Sequence, residues 1–374
     1  MSIINIIEAV TPRDISEFIE FPYPLYAGDP FWVPPLRLDV KEKLSPKHPF
    51  WIHSEKKLFL ARDEMGKTVG RIAAIIDSNF IKFHGRKTGY FGFYESINDA
   101  LVCAALTGAC EKWLREKGMT DVIGPMNPST NYECGFLLEG YDSSPFIMMT
   151  YNPPFYHDLF GISGYSKAKD LLAFFMFAKD GPMGRLEKVA GKVRDREPDI
   201  RVRPVDMKDF ASEAETIKNL YNSAWEKNWG FVPMTDAEFD DMAKTLKMLV
   251  DPKVLLVAES KGKPVGFIMA LPDYNQLFKT MNGRLFPFGI LKLLFLKKRI
   301  NQARLILLGI KEEFRGRGLD SLLYYEVIKN GKQRGYHQGE FSWVLEDNVL
   351  TIRASEMLGG RVYKKYRIYG KQLA

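Results

Sequence analysis

The 374-residue chain is expected to be an α/β protein, an α+β mixed sheet, built as two tandem copies of one fold. Two stretches match along their length: LFLARDEMGKTVGRIAAIID (58–77) and LLVAESKGKPVGFIMALPD (255–273). Each reads as strand, glycine turn, strand. The spacing between the copies is also conserved, at 196 residues from Gly70 to Gly266 and 195 from Gly164 to Gly359. Between those points it widens to 217, from Gly118 to Gly335, so about 21 extra residues precede the second copy's helix. In both copies short apolar strands alternate with amphipathic helical patterns.

Residues 3–9 read as a strand, and Thr11 caps a helix with Pro12 at its first position. The Pro- and aromatic-rich stretch 21–36, FPYPLYAGDPFWVPPL, reads as a packed loop. Strands at 57–62 and 68–77 flank the turn Glu64-Met65-Gly66, and a third covers 89–95. Residues 99–117 form an amphipathic helix ended by Gly118, followed by a strand at 121–124. The stretch 125–154 has little periodicity but many aromatics and methionines, so an ordered functional loop is expected. A helix at 155–160 and a strand at 168–177 complete the first copy. The charged stretch after it is expected to be a linker or inter-domain helix, dividing domain 1–180 from domain 198–374, with 181–197 between. The second copy has strands at 200–204, 254–259, 264–271, 304–310, 339–345 and 361–369. Its helices are expected at 211–229, 236–249, 319–334 and 348–358.

The composition, 46% hydrophobic and 26% charged, is that of a globular protein, and the net charge of +7 favours anionic ligands or surfaces. Cys103, Cys110 and Cys134 have no metal-ligand spacing, and an odd cysteine count suits a reducing cytoplasm. No metal site is expected from the five scattered histidines. The N-terminus lacks the pattern of a signal peptide, and the apolar run 285–296 is too short to span a bilayer. A cytoplasmic location follows as the expectation.

The stretch 305–320, LILLGIKEEFRGRGLD, runs from a buried strand through a basic glycine turn into a helix. Glycines let backbone N–H groups approach a ligand, the helix start adds partial positive charge, and Arg315 and Arg317 add full charge. An anion site is therefore expected here, and the matching turn of the first copy, FYESIND (93–99), has no such glycines. Residues 283–304 carry six basic and no acidic residues around an apolar run. Such a segment can lie on a membrane surface, line an acyl-chain channel or pack on the other domain. Asn127, Ser129, Asn131, Tyr151 and Tyr156, in or beside the first copy's long loop, suit a small polar acceptor.

The element order and the Arg315-Gly316-Arg317-Gly318 turn resemble the GNAT acyltransferase superfamily, whose R/Q-x-x-G-x-G/A loop holds the diphosphate of coenzyme A. The resemblance implies two tandem GNAT-like acyl-CoA N-acyltransferase domains, the first degenerate and lending its surface to the acceptor. It implies a coenzyme A thioester, or an acyl carrier protein, as donor, bound along Leu308, Ile310, Arg315, Gly316, Arg317, Gly318 and Asn348. It implies a base near the fourth or fifth strand, for which Glu312 and Glu346 are the candidates. The sequence departs from the family twice: Asp320 stands where a small residue is expected, and Ser355 where a tyrosine acid often lies. Blocks such as DPFWVPPL, GPMNPSTNYECG and FSWVLEDN resemble a bacterial family of tandem GNAT-like proteins related to the ceramide-forming N-acyltransferases. An amine, small or lipid, is then the expected acceptor. A non-catalytic binding protein and an aminoacyl-tRNA-dependent transferase stand beside this reading. Since no basic-aromatic RNA surface stands out, nucleic acid is not an expected partner.

Overall fold

The computed structural model describes residues 3–225 and 228–373. In chain order the first part comprises β1 (Asn5–Glu8), α1 (Pro12–Glu20), α2 (Pro22–Leu25), α3 (Arg37–Leu44), β2 (Ser54–Arg62), β3 (Thr68–Asp77), α4 (Ser78–His84) and β4 (Thr88–Ser96). There follow α5 (Ala100–Glu116), β5 (Asp121–Gly124), β6 (Met126–Asn127), β7 (Glu133–Cys134), β8 (Phe136–Glu139), α6 (Tyr156–Ile162) and β9 (Ser166–Phe177). Next come α7 (Met183–Arg196), β10 (Ile200–Pro204), α8 (Phe210–Trp225), α9 (Asp236–Leu249), β11 (Leu255–Ser260), β12 (Lys263–Pro272), α10 (Asn275–Phe278) and α11 (Phe288–Leu296). The last are β13 (Gln302–Ile310), α12 (Leu319–Gln333), β14 (Gln338–Leu345), α13 (Val349–Met357) and β15 (Arg361–Gln372).

These elements form two compact units. The first takes the chain up to Leu171, adds Phe278–Leu293, and closes with the C-terminal segment from Lys364. The second takes Leu172–Leu277 and Leu294–Tyr363. In the first, β1 to β4 pair in sequence order and antiparallel, and β4 pairs β5 in parallel. The C-terminal end of β15 then pairs β5, Tyr369 opposite Gly124. The core lies under α5 and α6, where Leu106, Leu114, Tyr156 and Phe160 meet Ile72, Ala74 and Tyr369. In the second unit β10 to β13 pair antiparallel in order, β13 pairs β14 in parallel, and the end of β9 lies beside β14. The mixed α/β plan and the twofold repeat are therefore as expected, and each strand pair of the repeat carries a bulge at a matching place, near Ala73 and near Met269.

Several local expectations change. The stretch 181–197 is largely helix α7, and its Leu186, Ala190 and Val193 are buried in the second unit's core with Leu322 and Leu323 of α12. Its charge density had masked an apolar stripe at helical spacing. Helix α8 is described to Trp225, and residues 226–227 of the expected helix 211–229 lie outside the described residues. The loop 125–154 contains the ribbon β6–β7, and β8, which pairs β15. Helix α4 was missed because it is short; Asp77 caps it, its carboxylate accepting from Asn79 N and Phe80 N, and Gly85 ends it at φ +65°.

Candidate functional site

Strands β13 and β14 pair over Gln302–Leu305 and Gln338–Phe341 and then diverge. Past that point β13 stays paired with β12, Leu308 to Ile268 and Ile310 to Gly266. The turn to α12 follows. Gly316 and Gly318 have φ of +72° and +84°, on either side of Arg317. Alternating left-handed residues turn successive N–H groups to one side, and Gly318 is also the N-cap of α12. A side chain at Gly318 would meet Val193 Cγ2 at 2.9 Å, so α7 packs against the turn and supports it. Arg315 Nε donates to Ile310 O at 3.1 Å, and Arg317 pairs with Glu197 at 3.2 Å; both arginines are exposed. Arg196 Nη2 donates to Arg317 O at 3.3 Å. Three guanidinium groups and a helix start thus surround one glycine turn, a donor set that fits a diphosphate. Asp320 is exposed in the first turn of α12, where a carboxylate complements the helix dipole.

The other expected residues of this unit scatter around the turn. Glu312 is exposed, and its carbonyl accepts from Arg315 N. Glu346 is half-buried at the end of β14, and Asn348 caps α13 by accepting from Thr351 N at 3.1 Å. Ser355 donates to Thr351 O within its own helix. A buried charged cluster that sequence reasoning missed lies where β13 and β14 begin to part. Arg304 Nε donates to Ser342 Oγ at 2.8 Å and lies 3.4 Å from Glu340, and both residues are almost fully buried. Tyr363 OH and Ser342 Oγ both donate to Glu340, and the Arg304 guanidinium lies 5.3 Å from the Trp343 ring centre. Its signal was present: Arg304 and Glu340 are charges inside apolar strands. Arg304, counted among the basic residues of 283–304, faces inward.

The first unit ends its diverging strands differently. Phe93 of β4 has φ +50° and donates its N–H to Asn127 Oδ1 at 2.6 Å. Gly92 packs so close to β6 that a Cβ there would sit 1.8 Å from Met126 O. Ser129 is buried and accepts from Asn131 N at 3.2 Å, so Asn127, Ser129 and Asn131 are engaged in holding this loop. Beside it, Tyr26 and Tyr156 both donate to Glu95 Oε2, at 2.8 and 2.7 Å. Ser96 N donates to Tyr156 OH at 2.8 Å and fixes its position. Tyr26 stacks on Trp32 with ring centres 4.8 Å apart. Asp29 orders that stretch by accepting from Phe31 N, Trp32 N and Tyr151 OH. Burial pushes Glu95 above the usual carboxylate range, while Arg71, Tyr156 and Tyr26 hold it down. Burial also raises Tyr26 and Tyr156, so both stay protonated donors.

The segment between α10 and β13 carries Phe286, Phe288, Leu294 and Phe295, each at least 60% exposed. Its start is tied to the first unit: Arg37 N donates to Gly283 O, and Arg37 Nη1 to Asn282 O. No described helix is long and apolar enough to cross a membrane.

A family model described as the Acetyltransferase (GNAT) family matches residues 214–359. Over 99% of its length the chain is 36% identical to a protein named bacterial ceramide synthase from Caulobacter vibrioides, covering 98% of it. It is 37% identical to Protein YghO of Escherichia coli K12, over 96% of this chain and 93% of that one. In fold it resembles a tandem GNAT protein from the clavulanic acid biosynthesis pathway, at TM-score 0.58 and 11% identity, over 100% of this chain and 99% of that one. A GCN5-related N-acetyltransferase from Sphaerobacter thermophilus matches at TM-score 0.52 and 14% identity, over 100% and 96% of the two chains.

Proposed function

Because the chain belongs to the GNAT acyltransferase family, with the fold duplicated in tandem, we propose that it moves an acyl group from an acyl-CoA, or an acyl-carrier-protein thioester, to a long-chain or lipid amine. The Arg315–Gly318 turn carries this reading, being the one of the two equivalent turns with left-handed glycines and clustered guanidinium groups. Its N–H groups, with Arg315 and Arg317, hold the diphosphate. Leu308 and Ile310 run beside the pantetheine arm, and Asn348 lies toward its sulfur end. The thioester supplies an activated acyl carbon; the amine attacks it, a C–N bond forms, and the thiol leaves. Glu346 or Glu312 takes the proton that the amine must shed. The first unit serves the acceptor, through Tyr151 and Tyr156 on the scaffold that Asn127, Ser129 and Asn131 hold. The 36% identity to a protein named bacterial ceramide synthase favours a lipid acceptor. Titration calorimetry with CoA, acetyl-CoA and palmitoyl-CoA tests the donor site: binding is expected, tightest for the long chain. No binding to any of them, or to an acyl carrier protein, overturns the reading.

Contact with an anionic membrane surface through 283–304 belongs to the same reading. Four exposed large apolar side chains sit among Arg284, Lys292, Lys297, Lys298 and Arg299, the combination that lies in a headgroup plane. Co-sedimentation with phosphatidylglycerol vesicles, lost with F288S/F295S and absent with phosphatidylcholine, is the expected result. Equal binding to both vesicle types counts against it.

A further inference from the structure

The three guanidinium groups at the Arg315–Gly318 turn are not equally committed. Arg317 is paired with Glu197 at 3.2 Å, and Arg315 Nε is spent on Ile310 O at 3.1 Å. Arg196 is exposed and makes no ion pair among the described residues. Its Nη2 donates to Arg317 O at 3.3 Å and lies 3.9 Å from the point that a Cβ on Gly318 would occupy. One N–H thus pins the guanidinium over the glycine that starts α12. The backbone is fixed too, because Arg196 lies in the last turn of α7, just after the buried Val193 that packs against the turn. Lys192, one helical turn before Arg196, shares its flank of α7; it is also exposed and without an ion pair among the described residues. The neighbouring Arg194 differs, its charge being met by Glu326. Two uncompensated cations therefore stand beside the donor turn, on a rigid element.

The diphosphate of coenzyme A carries one charge on each phosphate, which the N–H groups of the turn, Arg315 and Arg317 already meet. The ribose that bears the diphosphate also bears a 3′-phosphate, a monoester of about −1.5 to −2 charge at neutral pH. Hanging from the same sugar, it needs a receptor immediately beside the turn. An arginine binds such a group through two parallel N–H bonds, and a lysine adds a point charge. We propose that Arg196, with Lys192 beside it, holds the 3′-phosphate of coenzyme A and so makes the nucleotide-bearing thioester the preferred donor. The phosphopantetheine thioester of a carrier protein has no 3′-phosphate and leaves both cations unmet. Arg196 is thus a specificity residue at the nucleotide end of the donor, with no part in the acyl transfer itself. The inference rests on the acyltransferase reading and narrows its donor.

Titration calorimetry of the full chain with CoA and with 3′-dephospho-CoA, which differ in that one phosphate, tests it. CoA is expected to bind about tenfold or more tightly, the loss of a charge-assisted contact setting the difference. R196Q should remove most of that preference and weaken dephospho-CoA far less than CoA. R196K keeps the charge but not the paired N–H bonds, and should retain part of the preference. K192Q should have a smaller effect than R196Q. Equal affinity for the two ligands in the wild type, or a preference that survives R196Q because both ligands weaken equally, overturns the proposal and leaves the acyltransferase reading standing. If neither ligand binds but a palmitoyl carrier-protein thioester does, the 3′-phosphate assignment falls and the donor is the carrier protein. If no donor of either kind binds, both readings fall. Should R196Q fail to fold, the wild-type comparison and R196K decide.

Discussion

In the first unit the two diverging parallel strands are closed by the chain itself. Met126 O lies against Gly92, and Asn127 accepts the N–H that the bulge at Phe93 turns outward. In the second unit the corresponding strand runs into Arg315–Gly318, with left-handed glycines and clustered arginines. The same backbone plan thus carries two solutions. One copy has its opening filled by a loop and carries a carboxylate at Glu95. The other has the glycine-arginine turn, and Gly309 at the position of that carboxylate. Segments at strand ends tolerate such differences, while the two cores, each of which draws on strands of both copies, stay packed.

Four comparisons test how deep that difference goes. The largest effect is expected at Glu340. E340A strands Arg304 in the second unit's interior and should cost about 3–5 kcal/mol in urea unfolding. A loss under about 1 kcal/mol would mean the cluster is as dispensable as a surface pair. Next, R315A/R317A should weaken CoA binding by about 2–4 kcal/mol, roughly 30- to 1000-fold, whereas N98A in the first unit's turn should not change it. Equal effects of the two changes would erase the distinction between the turns. Third, G92A should destabilise the chain by about 1–3 kcal/mol or more, because a methyl group cannot fit against Met126 O. A neutral G92A would show that the first unit's closure is loose.

The smallest effect concerns pH. Glu95 is raised above the carboxylate range by burial, against the opposing pull of Arg71, Tyr156 and Tyr26. An acid with a raised folded pKa holds its proton longer in the folded state. Its contribution to stability therefore falls as pH rises from the ordinary carboxylate range through the folded value. E95Q should lose less thermal stability than wild type across that window. Parallel curves for the two proteins would remove Glu95 as a titrating difference between the units.

Several features could be read from residues alone. The mixed α/β class and the tandem repeat follow from local periodicity and from two matching stretches at constant spacing, signals that need no knowledge of contacts. The glycine-arginine turn between strand and helix was legible because glycine and arginine at those spacings carry their backbone and charge preferences wherever they lie. Helix α1 was legible too, with Thr11 and Asp14 forming a reciprocal capping box beside Pro12. Tertiary structure alone assigned strands to sheets. The C-terminal strand closes the first unit, and α7 belongs to the second core, because a strand's pattern reports which face is buried but not which edge it joins. It also decided which polar residues have partners. Glu95, Tyr26 and Tyr156 lie far apart in the chain and meet only through folding; Asn127 and Ser129, equally suggestive as residue types, turned out to be holding a loop. Hydrogen-bond satisfaction is a property of three-dimensional neighbours, which no local spacing encodes.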